Sequence, residues 1–312
     1  MWSYVIRRVL QMIPTLFGVM LLLFILFNWV GGDPSYILAG KSLSDETLAS
    51  IRAQLGLDQS LAAQFLIFVR QVLTFDFGTS WTTQQPVSET ILRRIGPSLT
   101  LMAAWLVVST VLAISIAGLV AYFRGGRLDR TITMISTVMM SVSVLVYIIL
   151  GQYFLAYKLN WFPVLGWSDS LWVNLTTYVP LPLILGLAVS LAPDVRFYRS
   201  CFLEEMNHDY VRTARAKGLS ERAVMVRHVM RNAMIPIVTQ LMMYLPFMIV
   251  GATLLERFFG IPGMGREVLL AVERSDFPMI KAITIYIVIA IMIFNLLADI
   301  VYKMIDPRVQ LK

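Results

Sequence analysis

Uncharged stretches of membrane-spanning length recur along the chain. Six of them contain no Asp, Glu, Lys, Arg or His, and they cover residues 9–30, 98–123, 131–157, 175–193, 233–255 and 282–298. A helix needs about 20 apolar residues to cross a hydrocarbon core of about 30 Å. Each stretch is close to that length or longer. The pattern predicts an all-α fold, a polytopic membrane bundle of six transmembrane helices.

The first and fourth stretches depart from a plain apolar helix. Arg7 and Arg8 precede the first, as in a signal peptide, but the run is 22 residues long and lacks a small-x-small cleavage site. A retained signal-anchor helix is therefore the better interpretation. Pro180, Pro182 and Pro193 frame the fourth stretch. Membrane helices tolerate proline when neighbouring helices satisfy the freed carbonyls.

Composition and charge agree with a membrane protein and set its orientation. Hydrophobic residues make up 58% of the chain and charged residues 14%, whereas soluble domains carry about 25% charged residues. If the N-terminus is inside, the inner segments 1–8, 124–130, 194–232 and 299–312 hold sixteen of the 26 Lys and Arg. The positive-inside rule thus predicts both termini in the cytoplasm. This bias accounts for the net charge of +7 without a nucleic-acid partner.

Two segments outside the predicted spans are long enough to fold. In the outer one, 31–97, Ser44 is a candidate cap for a helix over 45–55 that ends before Gly56. A second helix is predicted over 60–74 from its apolar spacing. The two helices predict a small cap on the outer ends of the spans.

The inner segment 194–232 predicts a bend between two short helices. Asp209 to Lys217 is expected to form a helix that stops at Gly218, where glycine can adopt the left-handed conformation. Ser220 is then the predicted cap of a second helix. The bend would project from the cytoplasmic face.

Catalytic and metal-binding motifs are not visible. His208 and His228 lie 20 residues apart, and HExxH, CxxC and GxSxG patterns are missing. Gly40-Lys41-Ser42 lacks the earlier glycine of a phosphate-binding loop. The lone Cys201 is interpreted as a packing residue. Because the six stretches also hold no ionisable group for proton coupling, energy for uphill transport is expected to enter from outside the membrane.

Several ordered motifs resemble the dipeptide and oligopeptide branch of inner-membrane permeases of ATP-binding-cassette importers. The inner segment reads DYVRTARAKGL from Asp209, in which Arg212-Thr213-Ala214 stands in for the family's Glu-Ala-Ala and Gly218 falls in register. One departure is Ser141-Val142-Ser143-Val144, where relatives usually have a proline. The other matches are Arg7-Arg8 before Ile13-Pro14-Thr15, Gly32-Asp33-Pro34, Leu55-Gly56-Leu57-Asp58, Asp76-Phe77-Gly78-Thr79-Ser80, Gly260-Ile261-Pro262-Gly263-Met264-Gly265, Asp276-Phe277-Pro278, Asn295 to Asp299 and Asp306-Pro307-Arg308.

The resemblance implies partners, cofactors and a coupling site. It implies a type I ABC importer architecture with a second homologous permease, two cytoplasmic ATPases, a periplasmic substrate-binding protein and the lipid bilayer. ATP and Mg would be bound by the partner subunits, with no cofactor in this chain. The small Ala214 and Gly218 would sit in a partner groove. The ATPase-coupling loop would comprise Asp209, Tyr210, Arg212, Thr213, Ala214, Arg215, Ala216, Lys217 and Gly218.

The resemblance also gives each segment an expected role. A permease core would cover 98–302. The segments are a cytoplasmic N-terminus at 1–8, spans at 9–30, 98–123, 131–157, 175–193, 233–255 and 282–302, a periplasmic helical cap at 31–97, a cytoplasmic coupling loop at 194–232 and a cytoplasmic C-terminus at 303–312.

The expected function is half of a translocation path for di- or oligopeptides. Other cargoes remain open, namely nickel chelates, cationic peptides or another small solute. A stand-alone channel or ion-coupled carrier and a membrane-anchored assembly factor are the rival classes. For the inner helix itself, the rival interpretation is a basic amphipathic helix on anionic lipid.

Overall fold

Helices form almost all of the chain that the structure describes. The structure is a computed structural model that describes residues 2–29, 35–36 and 44–305. Within these ranges the β-structure is limited to one isolated bridge between Thr79 and Pro86. The Gly32-Asp33-Pro34 motif, most of the predicted cap before residue 44 and the C-terminal residues 306–312 lie outside the described residues.

Fifteen α-helices are labelled here in chain order. Three π-helical turns, Gln152–Lys158, Asn174–Tyr178 and Met225–Val229, extend α6, α7 and α10 respectively. The helices are α1 Trp2–Trp29, α2 Asp45–Leu55, α3 Leu61–Thr74, α4 Val87–Tyr122, α5 Arg127–Met140, α6 Val144–Gly151, α7 Leu171–Val173, α8 Pro180–Met206, α9 Asp209–Ala216, α10 Glu221–Val224, α11 Met230–Tyr244, α12 Phe247–Val250, α13 Thr253–Phe259, α14 Met264–Glu273 and α15 Phe277–Ile305.

Five helical segments are long and apolar enough to cross a membrane. They are Tyr4–Asn28, Val87–Tyr122, Pro180–Met206, Glu221–Val250 and Phe277–Val301. A sixth crossing is the pair Arg127–Met140 and Val144–Lys158, if the two helices together count as one span. The prediction of an all-α polytopic bundle is confirmed.

The predicted third span, 131–157, is not one straight helix. It bends by 92° between Arg127–Met140 and Val144–Lys158. Ser143 has extended backbone angles (φ −63°, ψ 143°), and its hydroxyl accepts a hydrogen bond from the Leu145 N–H at 3.4 Å. A serine that caps a new helix competes with continuation of the old one. The break therefore falls on the Ser141–Ser143 segment.

The helices at three other predicted spans have bounds that differ from those of the predicted spans. α4 begins at Val87, so residues 87–97 belong to this helix and not to the cap. Its 36 residues make it about 54 Å long, which exceeds the thickness of a bilayer core. The segment predicted at 233–255 starts earlier, at Glu221, and ends at Val250 before Gly251 (φ 76°). The last span runs from Phe277 to Ile305, beyond the predicted 282–302.

The fourth span is displaced towards the coupling region. It was predicted at 175–193, but α8 runs from Pro180 to Met206 and therefore includes the first part of the predicted loop 194–232. Pro180 occupies the first position, where its missing N–H costs no hydrogen bond. Val195, Tyr198 and Phe202 lie at helical spacing and are buried. Their burial explains why the helix continues past Pro193.

The cap packs on the first and last spans. Phe65 of α3 makes edge-to-face contacts with Phe17 and Phe24 of α1, at centroid distances of 5.8 and 5.2 Å. The predicted helices over 45–55 and 60–74 are confirmed as α2 and α3. Ser60 caps α3 by accepting from the Ala63 N–H at 3.3 Å.

Candidate functional site

The inner bend has the local structure that the sequence predicts. α9 covers Asp209 to Ala216, and Gly218 follows with φ 78° in the left-handed region. The Ser220 hydroxyl then accepts from the Ala223 N–H at 3.4 Å and begins α10. A β-carbon added at Gly218 would meet nothing within 4 Å, so glycine is needed here for its backbone angle and not for space.

One face of α9 is buried against its own bundle. Val211 and Ala214 are 0% and 5% exposed, and they join a cluster that includes Phe202 and Met206 of α8 and Val224 of α10. The expectation that Ala214 lies in a partner groove is therefore wrong.

The opposite face of α9 is exposed. Asp209, Arg212, Thr213 and Ala216 share this face at helical spacing, and Lys217 follows them, also exposed. Arg212 lies 3.4 Å from the Asp209 carboxylate, on the surface. The small exposed residue that a partner could approach closely is Ala216.

Local contacts hold α9 and α10 in their relative positions. Arg215 donates to the Glu221 carboxylate through Nε and Nη2 at 2.8 and 3.2 Å, which joins the two helices across Gly218. The Tyr210 hydroxyl donates to Glu205 at the end of α8. Burial raises the pKa of the Tyr210 phenol, and the Glu205 carboxylate adds to this effect. Tyr210 therefore remains a hydrogen-bond donor at neutral pH.

The turn between α4 and α5 is attached to the same end of α8. Arg199 of α8 donates to the Asp129 carboxylate at 2.8 Å, and this carboxylate also accepts from the Gly125 N–H at 2.9 Å. Arg124 lies 3.4 Å from the side-chain oxygen of Asn207. Side-chain contacts thus join the end of α8 both to α9 and to the α4–α5 turn.

Sequence reasoning missed a polar cluster inside the bundle. Asp194 is 5% exposed and accepts from the Tyr244 hydroxyl at 2.8 Å, which in turn accepts from the Gln240 amide at 3.1 Å. Trp105 packs edge-on against Tyr244 and donates to the Ser190 hydroxyl at 2.9 Å. The predicted fourth span 175–193 holds no ionisable residue, but α8 continues beyond it through the buried Asp194. The apolar spacing after Pro193 was the signal that could have located it.

A second buried carboxylate closes the break after α12. Glu256 is fully buried and accepts from the Ser98 hydroxyl at 2.7 Å and from the Arg266 N–H at 3.0 Å. A β-carbon at Gly251 or Gly263 would lie 2.2 or 2.4 Å from its carboxylate oxygens. Burial raises the pKa of Glu256, and these hydrogen bonds oppose the rise. The glycine-rich motif that begins at Gly260 thus makes room for a buried acid.

The described residues offer no metal site. Among them, no group of three or more His, Cys, Asp or Glu side chains could hold an ion. Cys201 is buried in the cluster beneath α9, in keeping with a packing role.

Comparisons with known proteins cover the whole site. Residues 109–311 match the family model described as the binding-protein-dependent transport system inner membrane component, and residues 1–102 match the model of the N-terminal part of such a membrane component. Three similar curated proteins are described as glutathione transport system permease protein GsiC. They come from Salmonella choleraesuis (strain SC-B67), Shigella boydii serotype 4 (strain Sb227) and Escherichia coli (strain K12), and each is 35% identical over 312 residues, the full length of both chains.

Proposed function

Because the chain belongs to the family of binding-protein-dependent transport system inner membrane components, we propose that it forms half of the path by which small peptides enter a bacterial cell. The family makes the chain a multi-pass inner-membrane permease subunit of an ATP-binding-cassette importer. Such a subunit is not itself an enzyme, since ATP hydrolysis lies in partner subunits. A stand-alone channel or carrier, or an assembly factor, would not have this subunit composition, in which a permease acts together with separate ATPase subunits.

The way α9 is built onto the bundle is the observation that carries the proposal. Val211 and Ala214 bury one face of α9 in a cluster that includes Phe202 and Met206 of α8, and α8 continues without interruption from Pro180 to Met206. A partner that moves α9 therefore moves a helix that crosses the bundle. The exposed Arg212, Thr213, Ala216 and Lys217 are the proposed contacts of that partner, an ATPase whose acidic groups would meet the basic side chains.

The cluster around Asp194 supports a peptide cargo. The relatives are named for glutathione, which is a tripeptide. Peptides carry an ammonium group and several amides, and Asp194, Gln240 and Tyr244 offer acceptors for such groups between α8 and α11. We therefore propose di- or oligopeptides as the cargo. Nickel chelates and cationic peptides are the competing ligands in the test.

The remaining parts of the proposal concern the assembly. The family implies a partner permease, ATPase subunits and a substrate-binding protein. We propose that the chain pairs with one sister permease. Two ATPases, which themselves bind ATP and Mg, would contact the α9 face, and a periplasmic binding protein would contact the cap. In this arrangement both termini face the cytoplasm, in agreement with the distribution of basic residues.

Copurification and reconstitution together test the proposal. A tagged chain is expected to bring down a sister permease and two ATPase copies in fixed stoichiometry. In nanodiscs with its binding protein, the complex is expected to hydrolyse ATP faster with di- or tripeptides than without ligand. Purification of the chain alone, or uptake without ATP, would contradict the importer assignment. Stimulation by nickel chelates but not by peptides would contradict the cargo alone.

A further inference from the structure

Lys281, at the cap end of α15, is a cation that pairs with no acid of the described residues. Its ammonium nitrogen lies 5.2 Å from the ring centroid of Phe27 and 5.6 Å from that of Phe68. None of the ion pairs between described side chains includes Lys281. Two aromatic faces offset part of the cost of removing a cation from water. A negative charge would offset the rest.

The acid that immediately precedes α15, Asp276, does not supply this charge. Asp276 is 3% exposed, and its carboxylate accepts from the Ser80 hydroxyl and from the N–H groups of Trp81 at 3.3 Å and Met279 at 3.3 Å. These donors occupy its oxygens and attach the loop after Phe77 to the start of α15. The Lys281 ammonium is therefore left for another anion.

A cavity of about 470 Å³ lies beside Lys281, between α1, the cap helices and α15. Asn28 and Gln71 also line it, and their side-chain amides make no hydrogen bond with any described residue. Its aromatic lining consists of Phe24, Phe27, Phe68, Phe77, Trp81 and Phe277. The described lining thus combines aromatic rings, several side-chain amides and the cation of Lys281, which is the composition of a site for a small anion that carries an apolar part.

We propose that this cavity binds an oxyanion, a phosphate or a carboxylate, whose charge pairs with Lys281 and whose apolar part lies against the aromatic rings. The Asn28 and Gln71 amides are placed to donate to it. The oxyanion has two sources, the phosphate of an anionic lipid or a soluble organic acid. A lipid source fits the position, because α1, whose last turns line the cavity, also presents the exposed apolar side chains Phe17 and Leu22. The inference is independent of the cargo and of the ATPase contacts.

Thermal unfolding of the purified complex in nanodiscs tests the site. In phosphatidylcholine nanodiscs, adding phosphatidylglycerol is expected to raise the unfolding midpoint of the wild-type complex. Lys281→Met should weaken lipid retention, measured by native mass spectrometry, about tenfold, because a charge-assisted hydrogen bond is lost. Lys281→Arg should keep the response. If hexanoate or inorganic phosphate raises the midpoint and phosphatidylglycerol does not, the source is soluble.

A matched variant separates the cavity from cation–aromatic contacts in general. Lys158 also lies over a ring, 5.8 Å from the centroid of Phe154, but it does not line the cavity. Lys158→Met should therefore respond to phosphatidylglycerol as the wild type does. Gln71→Glu places a carboxylate in the cavity and should raise the midpoint without ligand while reducing the response. An equal response in wild type and Lys281→Met, or no response to any of the three anions, would overturn the proposal.

Discussion

Gly218 is the position where backbone strain should separate coupling from folding. Its φ of 78° costs a side-chain-bearing residue about 1–2 kcal/mol, and the open space around it excludes a steric clash. Gly218→Val should therefore insert and pair normally while ligand-stimulated ATP hydrolysis and uptake fall together, by about tenfold. Gly78→Val is the matched control, because Gly78 has φ 73° and equally open space in the loop after α3, on the cap side of the bundle, and it should leave the coupling to ATP hydrolysis unchanged. Normal uptake by Gly218→Val at wild-type protein levels would contradict the coupling assignment.

Ala214 and Ala216 lie on opposite faces of α9, and the same substitution should have different effects at each. Ala214→Glu places a carboxylate in the buried cluster with Val211, so the α9–α8 contact and the protein level should both decline. Ala216→Glu alters only the exposed face. It should leave expression and thermal stability unchanged and reduce copurification of the ATPase. Equal protein levels for both variants with equal loss of ATPase binding would show that Ala214 also faces the partner.

Glu256 joins elements that are far apart in the chain, and its removal should loosen the break after α12. Glu256→Ala leaves a cavity and orphans the Ser98 hydroxyl and the Arg266 N–H, at a cost of about 2–4 kcal/mol. Glu256→Gln keeps the volume and one carbonyl oxygen, so it should cost less than half as much. Unfolding midpoints of the purified complex measure both changes. A larger loss for the glutamine variant would show that the charge itself is needed.

The raised pKa of Glu256 also predicts a pH dependence with a fixed sign. The folded state holds the proton more tightly than the unfolded chain, whose carboxyl has its ordinary pKa of 4.5. The stability from this group is therefore present below 4.5 and is lost as the pH rises through the folded value. Between these pH values the midpoint of wild type should fall relative to that of Glu256→Gln. A wild-type midpoint that rises relative to the variant over that interval would contradict the shift.

Helices could be located from the sequence, but their ends and faces could not. Lipid requires apolar side chains and internal backbone hydrogen bonds, so uncharged stretches mark the spans. A helix does not have to stop where the lipid stops, and α4 and α8 continue because residues such as Val87 and Tyr198 find buried partners. The cap at Ser220 and the turn at Gly218 were predictable because their chemistry is local.

Contacts between distant parts of the chain account for the features that the sequence did not predict. Asp194 finds Tyr244 fifty residues away, and Glu256 finds Ser98 at a separation of 158 residues. No local pattern indicates such pairs. The orientation of α9 depends in the same way on distant residues. The spacing of Val211 and Ala214, three residues apart, shows that they share one helical face, but it does not show that this face is the buried one.

The arrangement of the whole chain in the membrane gives the last prediction. With the bent pair counted once, six crossings place both ends of the chain on the α9 side and the cap with the loop before α7 on the other. The exposed positions Ser60 and Asp169 mark the cap side, and Ser220 and Arg130 mark the α9 side. In a Cys201→Ser background, single cysteines at Ser60 and Asp169 should react with an impermeant maleimide added to intact cells. Cysteines at Ser220 and Arg130 should react only after permeabilisation, because the basic residues hold their side in the cytoplasm.

Labelling at Ser220 but not at Ser60 in intact cells would show that the orientation is the inverse of the predicted one. Labelling at Arg130 but not at Ser220 would show that the α4–α5 turn and α9 lie on different sides, which the 2.8 Å contact between Asp129 and Arg199 does not allow.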